Sequence, residues 1–539
     1  MYIFLALVIT EEVFFFVYHY YRKHRDITFV HKNFGSSTHQ QLSIDDLNFI
    51  SIQARLAHFK IDDITWNDLQ LDELYQQVST CQSRCGDIIL YRMFRNPLNN
   101  VKDIEKRQAF MEWFIHHPQE RNNIQSALYD VSRSASPLTF EKQRFDSIAS
   151  FLVHSLSLIM FISLIATLFN PSLFGLLIII ALINGTLSHY LTKSLSKQYE
   201  NIQLSIRVMK GIQSVSRHAH KELNEWVDLD QCNHSLKGRI ALFFDDFHHP
   251  DGFILLILSQ LFLLEAITYY HFIRNSVKDP QDLLKAHDIL GEIDAMIALS
   301  SYKLSLNTYC NPIFTNEPII EAIEMVHPLL KNPVANDIHL RRNLLISGSN
   351  ASGKSTFLKM VAINALFAQS FGFAFAKHYE AGFFTIMTSM SLRDSIEHKD
   401  SYFMSEIKSI KRILDACNDQ EPILCMIDEI LRGTNTNERI AASSEILYHL
   451  AQKKVLFISA THDIELTSIL QNHLDNAHFN EQLNKGVMIF DYLLKEGPSN
   501  SSNAIKLLSL LGYGDDLVQR ADQRLKLFIE QKRWIKEVE

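Results

Sequence analysis

The chain has 539 residues, 47% of them hydrophobic, and a formal net charge of −8. That length suits two or three domains, and the apolar content excludes broad disorder. The acidic balance excludes a protein that grips nucleic acid over a wide basic surface, so any such contact would rest on a local patch. Gly (17) and Pro (12) are scarce, which favours a helix-rich protein with few long loops. The six cysteines, Cys81, Cys85, Cys232, Cys310, Cys417 and Cys425, lack paired metal-ligand spacing and read as reduced intracellular thiols.

Residues 1–21 are apolar except for Thr10, Glu11, Glu12 and His19, and Arg22, Lys23, His24 and Arg25 follow at once. A cleavable leader carries its positive charge before the apolar run; here the order is reversed, which predicts an N-terminal anchor whose C-terminal end is cytoplasmic. A helix lying on the membrane surface is the alternative, because the Glu pair is costly in lipid. Ser36, Ser37 and Thr38 form a short polar linker after it.

Two further apolar runs, 148–169 and 172–191, are joined by Asn170-Pro171. About twenty residues at 1.5 Å rise cover the ~30 Å hydrocarbon layer. Lys142 and Arg144 precede the pair and Lys193 and Lys197 follow it, so a transmembrane hairpin with both ends cytoplasmic is predicted at 148–191. A third run, 253–272, carries Gln260 and Glu265. A further crossing would place the C-terminal half outside the cell, so this run is expected to be a buried helix.

The most specific feature lies downstream. An apolar strand, Leu344-Leu345-Ile346, runs into Gly348-Ser349-Asn350-Ala351-Ser352-Gly353-Lys354-Ser355-Thr356, and a helix follows. This is the G-x-x-x-x-G-K-S loop: main-chain amides around Gly348 and Gly353 cradle phosphate oxygens, Lys354 reaches the β and γ phosphates, and Ser355 offers its hydroxyl to Mg²⁺. A second strand, 423–427, ends in Asp428-Glu429. Asp428 would hold the water shell of the ion, and Glu429 would orient or deprotonate the attacking water. A third strand, 455–460, leads to Thr461-His462-Asp463, at the sheet edge where His462 can sense the γ-phosphate.

These blocks resemble the MutS family, whose ATPase domain has a Gly-Pro-Asn-x-x-Gly-Lys-Ser-Thr loop, a Ser-Thr-Phe-Met segment, an Asp-Glu-x-x-Arg-Gly-Thr-x-Thr block and an Ala-Thr-His strand end. The counterparts here are 348–356, Ser401-Tyr402-Phe403-Met404, Asp428-Glu429-Ile430-Leu431-Arg432-Gly433-Thr434-Asn435-Thr436 and Ala460-Thr461-His462. The resemblance covers about 320–525 and implies an α/β P-loop NTPase domain of the ABC-ATPase type that binds ATP and Mg²⁺ and dimerises head to tail. By resemblance Ser401 reaches the γ-phosphate of a second copy; an ordinary helix cap preceding Glu406 is the alternative. Three departures stand out: Lys399-Asp400 replaces the Gly-Arg of the family, Pro333 or Val334 stands where an aromatic residue stacks on adenine, just before Ala335-Asn336, and Asp463 replaces a Tyr. More weakly, 83–108, Leu290-Gly291-Glu292-Ile293-Asp294 and Val326-His327-Pro328 look like the helical core of the family and its link to the ATPase.

The expected organisation is an anchor at 1–21, an α-helical core, resembling the core and lever region of that family, at 45–310 and interrupted by the transmembrane hairpin, and the ATPase domain at 311–539. The charged run 515–539 is expected to be helical, as a dimer contact or a solvated tail. The resemblance implies a homodimeric ATPase, and the apolar segments with their flanking charges place it at the cytoplasmic membrane with the ATPase domain facing the cytoplasm. DNA is the partner implied by analogy with repair or recombination proteins, and membrane lipid the partner of the apolar segments. The mismatch-reading domain of the family has no counterpart in 1–60, so mismatch reading itself is not expected. A transport-linked ATPase or an ATP-binding membrane scaffold with no DNA role is the competing reading.

Overall fold

The computed structural model describes residues 17–18, 20–36, 42–55, 59–131, 146–218, 221–229, 253–275, 280–349, 352–390, 402–417, 421–432, 434–484, 487–498 and 512–531, with residues 232, 505, 508, 509 and 534. Most of the expected anchor, 1–16 and residue 19, lies outside that set; residues 20–32 are helical. The chain divides into two compact units.

The first unit comprises Met1–His58, Tyr75–Phe94 and Glu105–Leu306 and is built from helices. Its long members are α1 (Arg84–Arg95), α2 (Val101–His116), α3 (Pro118–Tyr129), α4 (Ser147–Phe169), α5 (Phe174–Ser194), α6 (Ser196–His218), α7 (Phe253–Leu261), α8 (Leu264–Asn275) and α9 (Pro280–Ser305). Helix α6 buries Ile206, Met209, Ile212 and Val215 at helical spacing, and it packs against α3 and α9. The start of α1 is held by a residue far along the chain. Asp294, buried in α9, accepts hydrogen bonds from Gln82 N (3.0 Å), Ser83 N (2.7 Å) and Ser83 Oγ (2.6 Å). It thereby satisfies amides that a helix start leaves without intrahelical partners. Two sequence blocks singled out separately are thus one capping interaction.

Helices α4 and α5 form an antiparallel hairpin. Asp146 caps α4 by accepting from Ile148 N and Ala149 N, and at the tip Asn170 accepts from Ser172 N while Pro171 opens a short 3₁₀ turn. Pro suits that position because its missing N–H would have no partner there. Only 17% of the most apolar window of the first helix, and 11% of that of the second, is buried. The third apolar run is not one helix. It breaks after Leu261, with Leu263 at φ 52°, into α7 and α8. Helix α7 lies along α5, where the buried Asn184 donates to Leu261 O (2.7 Å). Ile257 and Leu258 of α7 remain 37% exposed, so the expectation of a buried helix holds for α8 and only in part for α7.

The second unit comprises Phe59–Leu74, Arg95–Ile104 and Asn307–Glu539. Two of its three segments, Phe59–Leu74 and Arg95–Ile104, fall within the stretch that the sequence reading gave to the helical core. Asp68, 2% exposed, explains part of this: its carboxylate accepts from Thr388 Oγ1 (2.7 Å) and Met390 N (3.0 Å) at the end of a sheet strand. The unit holds a four-stranded sheet and a six-stranded one. The strands of the smaller sheet are β1 (Ile313–Phe314), β2 (Ile320–Met325), β3 (Asn336–Leu340) and β5 (His378–Ala381), in the order β1-β5-β2-β3. The larger sheet contains β4 (Leu344–Ser347), β6 (Thr385–Ser389), β7 (Ile423–Asp428), β8 (Val455–Thr461), β9 (Asp475–Asn484) and β10 (Val487–Glu496), in the order β10-β9-β4-β8-β7-β6. All its pairings are parallel except β9–β10. Strands β4, β7 and β8 are buried along their whole length, as a sheet covered on both faces requires. The helices used below are α10 (Lys354–Phe371), α11 (Tyr402–Ala416), α12 (Thr436–Ala451), α13 (Ile464–Ile469) and α14 (Asp515–Gln531). Helix α10 is buried on nearly every side, and α14 is the helix expected for the charged C-terminal run.

Candidate active site

Strand order assembles the site. Because β8 lies between β4 and β7, the ends of three neighbouring strands deliver the P-loop, His462 and the Asp428-Glu429 pair to one edge. Ligands of parallel sheets bind at this carboxyl edge.

The P-loop leaves β4 at Ser347 and enters α10 at Lys354. Gly348 and Gly353 take φ of +150° and +106°, conformations that glycine adopts without the strain a Cβ brings. Asn350 and Ala351 lie outside the described residues. Ser352 is buried and, among the described residues, its Oγ has no hydrogen-bond partner. A hydroxyl left in that condition inside a phosphate-cradling loop fits an anionic oxygen that would accept from it. The ammonium of Lys354, also buried, donates to Gly348 O and Ser349 O (2.8 Å each). Thr356 follows on α10 and lines the same cavity as Ser349, Ser352 and Gly353.

Ser355 Oγ donates to Asp428 Oδ2 at 2.6 Å. A hydroxyl and a carboxylate in direct contact at the foot of a phosphate loop are the oxygen donors a hard Mg²⁺ ion selects, so these two residues fit the ion expected from sequence.

Glu429 sits just beyond β7, its N–H donating to Ala460 O (2.9 Å) and its φ at +57°. This left-handed turn swings its side chain toward the neighbouring strand end. There Glu429 Oε1 meets His462 Nε2 at 2.7 Å and Oε2 meets Arg432 Nε at 2.8 Å. The hydrogen bond from His462, opposed by desolvation and helped by the charges of Arg432 and Lys354, holds the carboxyl of Glu429 below the usual range. The residue is therefore an ionised acceptor at neutral pH. His462 also lies 3.5 Å from Lys354 Nζ, which ties the P-loop to the acidic pair through one imidazole.

A cavity of about 490 Å³ extends from this cluster. Its polar lining includes Lys354, Ser355 and Glu429, and its apolar lining Val334, Met360, Phe479 and Tyr492. Of the two stacking positions considered from sequence, Val334 is on the wall. Besides the buried Phe357 and Phe479, an aromatic ring comes from Tyr492, on β10, which the sequence reading did not single out. The β9–β10 ladder slips between Phe490 and Leu494, and Asn336 fills the gap: its amide donates to Tyr492 O (3.0 Å) and accepts from Leu494 N (2.8 Å). The only sequence signal for Tyr492 was an aromatic in a strand-like run, which ordinarily marks packing. His327 lines the cavity too; burial pushes its pKa down to about 4, so the ring is neutral, and Nδ1 accepts from Leu329 N.

Two further positions acquire a role only in three dimensions. Glu406, on α11 and 5% exposed, accepts from Arg432 N through both oxygens (3.2 and 3.1 Å). It thus braces the turn after Glu429. Arg432 reaches back to Asp428 O at 2.9 Å. Ser401, the residue expected to serve a second copy, lies outside the described residues, as do Lys399 and Asp400.

The fold and this edge define a protein with an α/β sheet unit carrying a P-loop and a second unit built mostly of helices. The family models for MutS domain III and MutS domain V match residues 57–300 and 344–529. The chain belongs to the MutS family. It is similar to "MutS protein homolog 4" of Mus musculus, 33% identical over 238 residues, which is 41% of this chain and 24% of that relative. The chain thus spans about a quarter of the length of the curated relative it matches.

Proposed function

We propose that this protein is a membrane-associated MutS-like ATPase that hydrolyses ATP with Mg²⁺ in a site completed by a second copy, and that DNA is its partner. The observation that carries the reading is the convergence of Lys354, the Ser355–Asp428 pair and the Glu429–His462 pair at one sheet edge, beside a cavity with Tyr492 on its wall. The parallel order around β4 is in keeping with an ABC-type nucleotide domain.

The residues divide the work as follows. Main-chain amides of 348–356 and the ammonium of Lys354 bind and orient the phosphates. Ser355 and Asp428 would hold Mg²⁺, which supplies charge neutralisation to the phosphates when bound. Glu429, ionised, orients a water and takes its proton, a contribution on the order of 10²–10⁴ in rate. His462 hydrogen-bonds Glu429 and reports on occupancy next to Lys354. Ser401 of a second copy would complete the γ-phosphate site, so that hydrolysis loosens the pair, as in other switches held by that phosphate. Membership of the family supports ATP turnover and a relation to DNA mismatch repair, while mismatch reading itself is not part of the proposal. Lipid as a second partner is supported by the exposed apolar hairpin α4–α5, flanked by Lys193 and Lys197. That same hairpin favours one competing reading, an ATPase coupled to a membrane partner with no DNA role.

The test is ATP binding and turnover by the full chain in detergent, with and without duplex and branched DNA. Lys354→Ala is expected to abolish binding. Glu429→Gln is expected to keep binding and lower kcat by about 10²-fold or more. DNA stimulation supports the proposal, whereas turnover indifferent to DNA and responsive to lipid favours the membrane-coupled reading. Turnover undiminished in both variants would sink the site assignment.

A further inference from the structure

Directly after His462 comes Asp463, one of the departures from the family pattern. Its carboxylate accepts a bidentate pair of hydrogen bonds from Arg439, Nε at 2.8 Å and Nη2 at 2.5 Å. Both side chains are largely covered, 13% and 23% exposed. Arg439 stands in the first turn of α12, which follows the Arg432–Thr436 loop. Its fork therefore fastens the end of β8 to the beginning of the helix that carries on from the Asp428-Glu429 strand. Between those two fastened points lies the 2.7 Å contact of His462 with Glu429. Other restraints on the 461–463 turn are lighter: Asp463 N donates to Thr461 Oγ1 at 3.0 Å, and Leu466 N donates to Asp463 O at 3.2 Å. A planar guanidinium engaged on two oxygens fixes orientation as well as distance, which a single neutral hydrogen bond does not.

We infer that Asp463 and Arg439 are a positioning pair that sets His462 against Glu429, a device built into this chain where the family pattern has a tyrosine. The inference rests on the ATPase reading for its consequence, but the placement of His462 can be measured without turnover. The probe is diethyl pyrocarbonate, whose carbethoxylation of each histidine in the folded full chain is read by peptide mass spectrometry. His449, exposed on α12, serves as the internal reference. His462, 33% exposed and hydrogen-bonded, is expected to react slowly in the native protein. In Asp463→Asn and in Arg439→Ala its rate relative to His449 should rise about five-fold, the worth of one net hydrogen bond. The double variant should be no faster than either single one, because both remove the same contact. The exchanged pair D463R with R439D should return the rate toward the native value. In parallel, kcat of the single variants should fall about ten-fold with KM within a factor of two, as for a misplaced catalytic group.

An unchanged His462 rate in both single variants overturns the inference. So do additive effects in the double variant, or an exchanged pair that keeps the reference rate of His449 yet leaves His462 fast. Failure of the ATPase reading shows separately, as native turnover that Glu429→Gln does not reduce.

Discussion

Tyr492 contributes a face, not a charge, to the cavity where the proposal places the nucleotide. Its ring stands over the P-loop so closely that a Cβ on Gly353 would meet Cδ1 at 3.1 Å. Tyr492 and Val334 line the same cavity as the P-loop, and under the proposed function an aromatic wall there suits a planar base. Base–aromatic stacking is worth about 1–3 kcal/mol. Tyr492→Ala is therefore expected to weaken nucleotide binding by roughly 5- to 100-fold while kcat at saturation stays near native; titration with a fluorescent ATP analogue measures it. Tyr492→Phe should bind normally, and a variant as weak as alanine would show that the hydroxyl, not the ring, matters. None of this could be read along the chain, because the bulge that presents Tyr492 depends on Asn336, a residue on another strand.

At the scale of elements, the same dependence on distant partners recurs. Helix α1 is capped by Asp294, at the far end of the helical unit in sequence. Removing that carboxylate leaves two main-chain amides and the Ser83 hydroxyl unpaired in the interior, at about 1–3 kcal/mol each. Asp294→Ala should speed hydrogen exchange of the amides of Arg84–Arg95 on the order of 10²-fold, with the amides of β7 unaffected. Equal acceleration in both places would mean global destabilisation and refute a local cap. The P-loop strands behave differently. Their boundaries were legible in the sequence because each is a short apolar run terminated by a chemically distinctive group, the glycine loop, Asp428-Glu429 or His462. The third apolar run misled for a related reason: composition reports burial from water, and it cannot distinguish a helix covered by protein from one such as α7 whose flank is open.

For the molecule as a whole, the exposed apolar hairpin is the feature on which the membrane part of the proposal rests. Leu168 and Phe169 at its tip are 78% and 86% exposed, and long exposed apolar helices of this kind are stable in lipid, where every backbone group is satisfied within the helix. The full chain is expected to float with liposomes in a density gradient and to resist extraction by high salt and alkali. Deleting Ser147–Ser194 should release it from the membrane fraction if this hairpin is the main anchor. Retention of the deleted form would shift that role to the N-terminal segment. Recovery of the native chain with the soluble fraction would remove lipid from the list of partners.

By itself the sequence determined the glycine loop between strand and helix, the strand that ends in Asp428-Glu429 and the two apolar helices, because each is encoded by neighbours along the chain whose geometry follows from local backbone rules. Tertiary structure alone decided the order of the strands, and with it the placement of His462 between Lys354 and Glu429. It alone brought Tyr492, Glu406 and Arg439 to the site. Their roles come from contacts between segments distant in sequence, and such contacts leave no periodicity or spacing to be read until the sheet is formed.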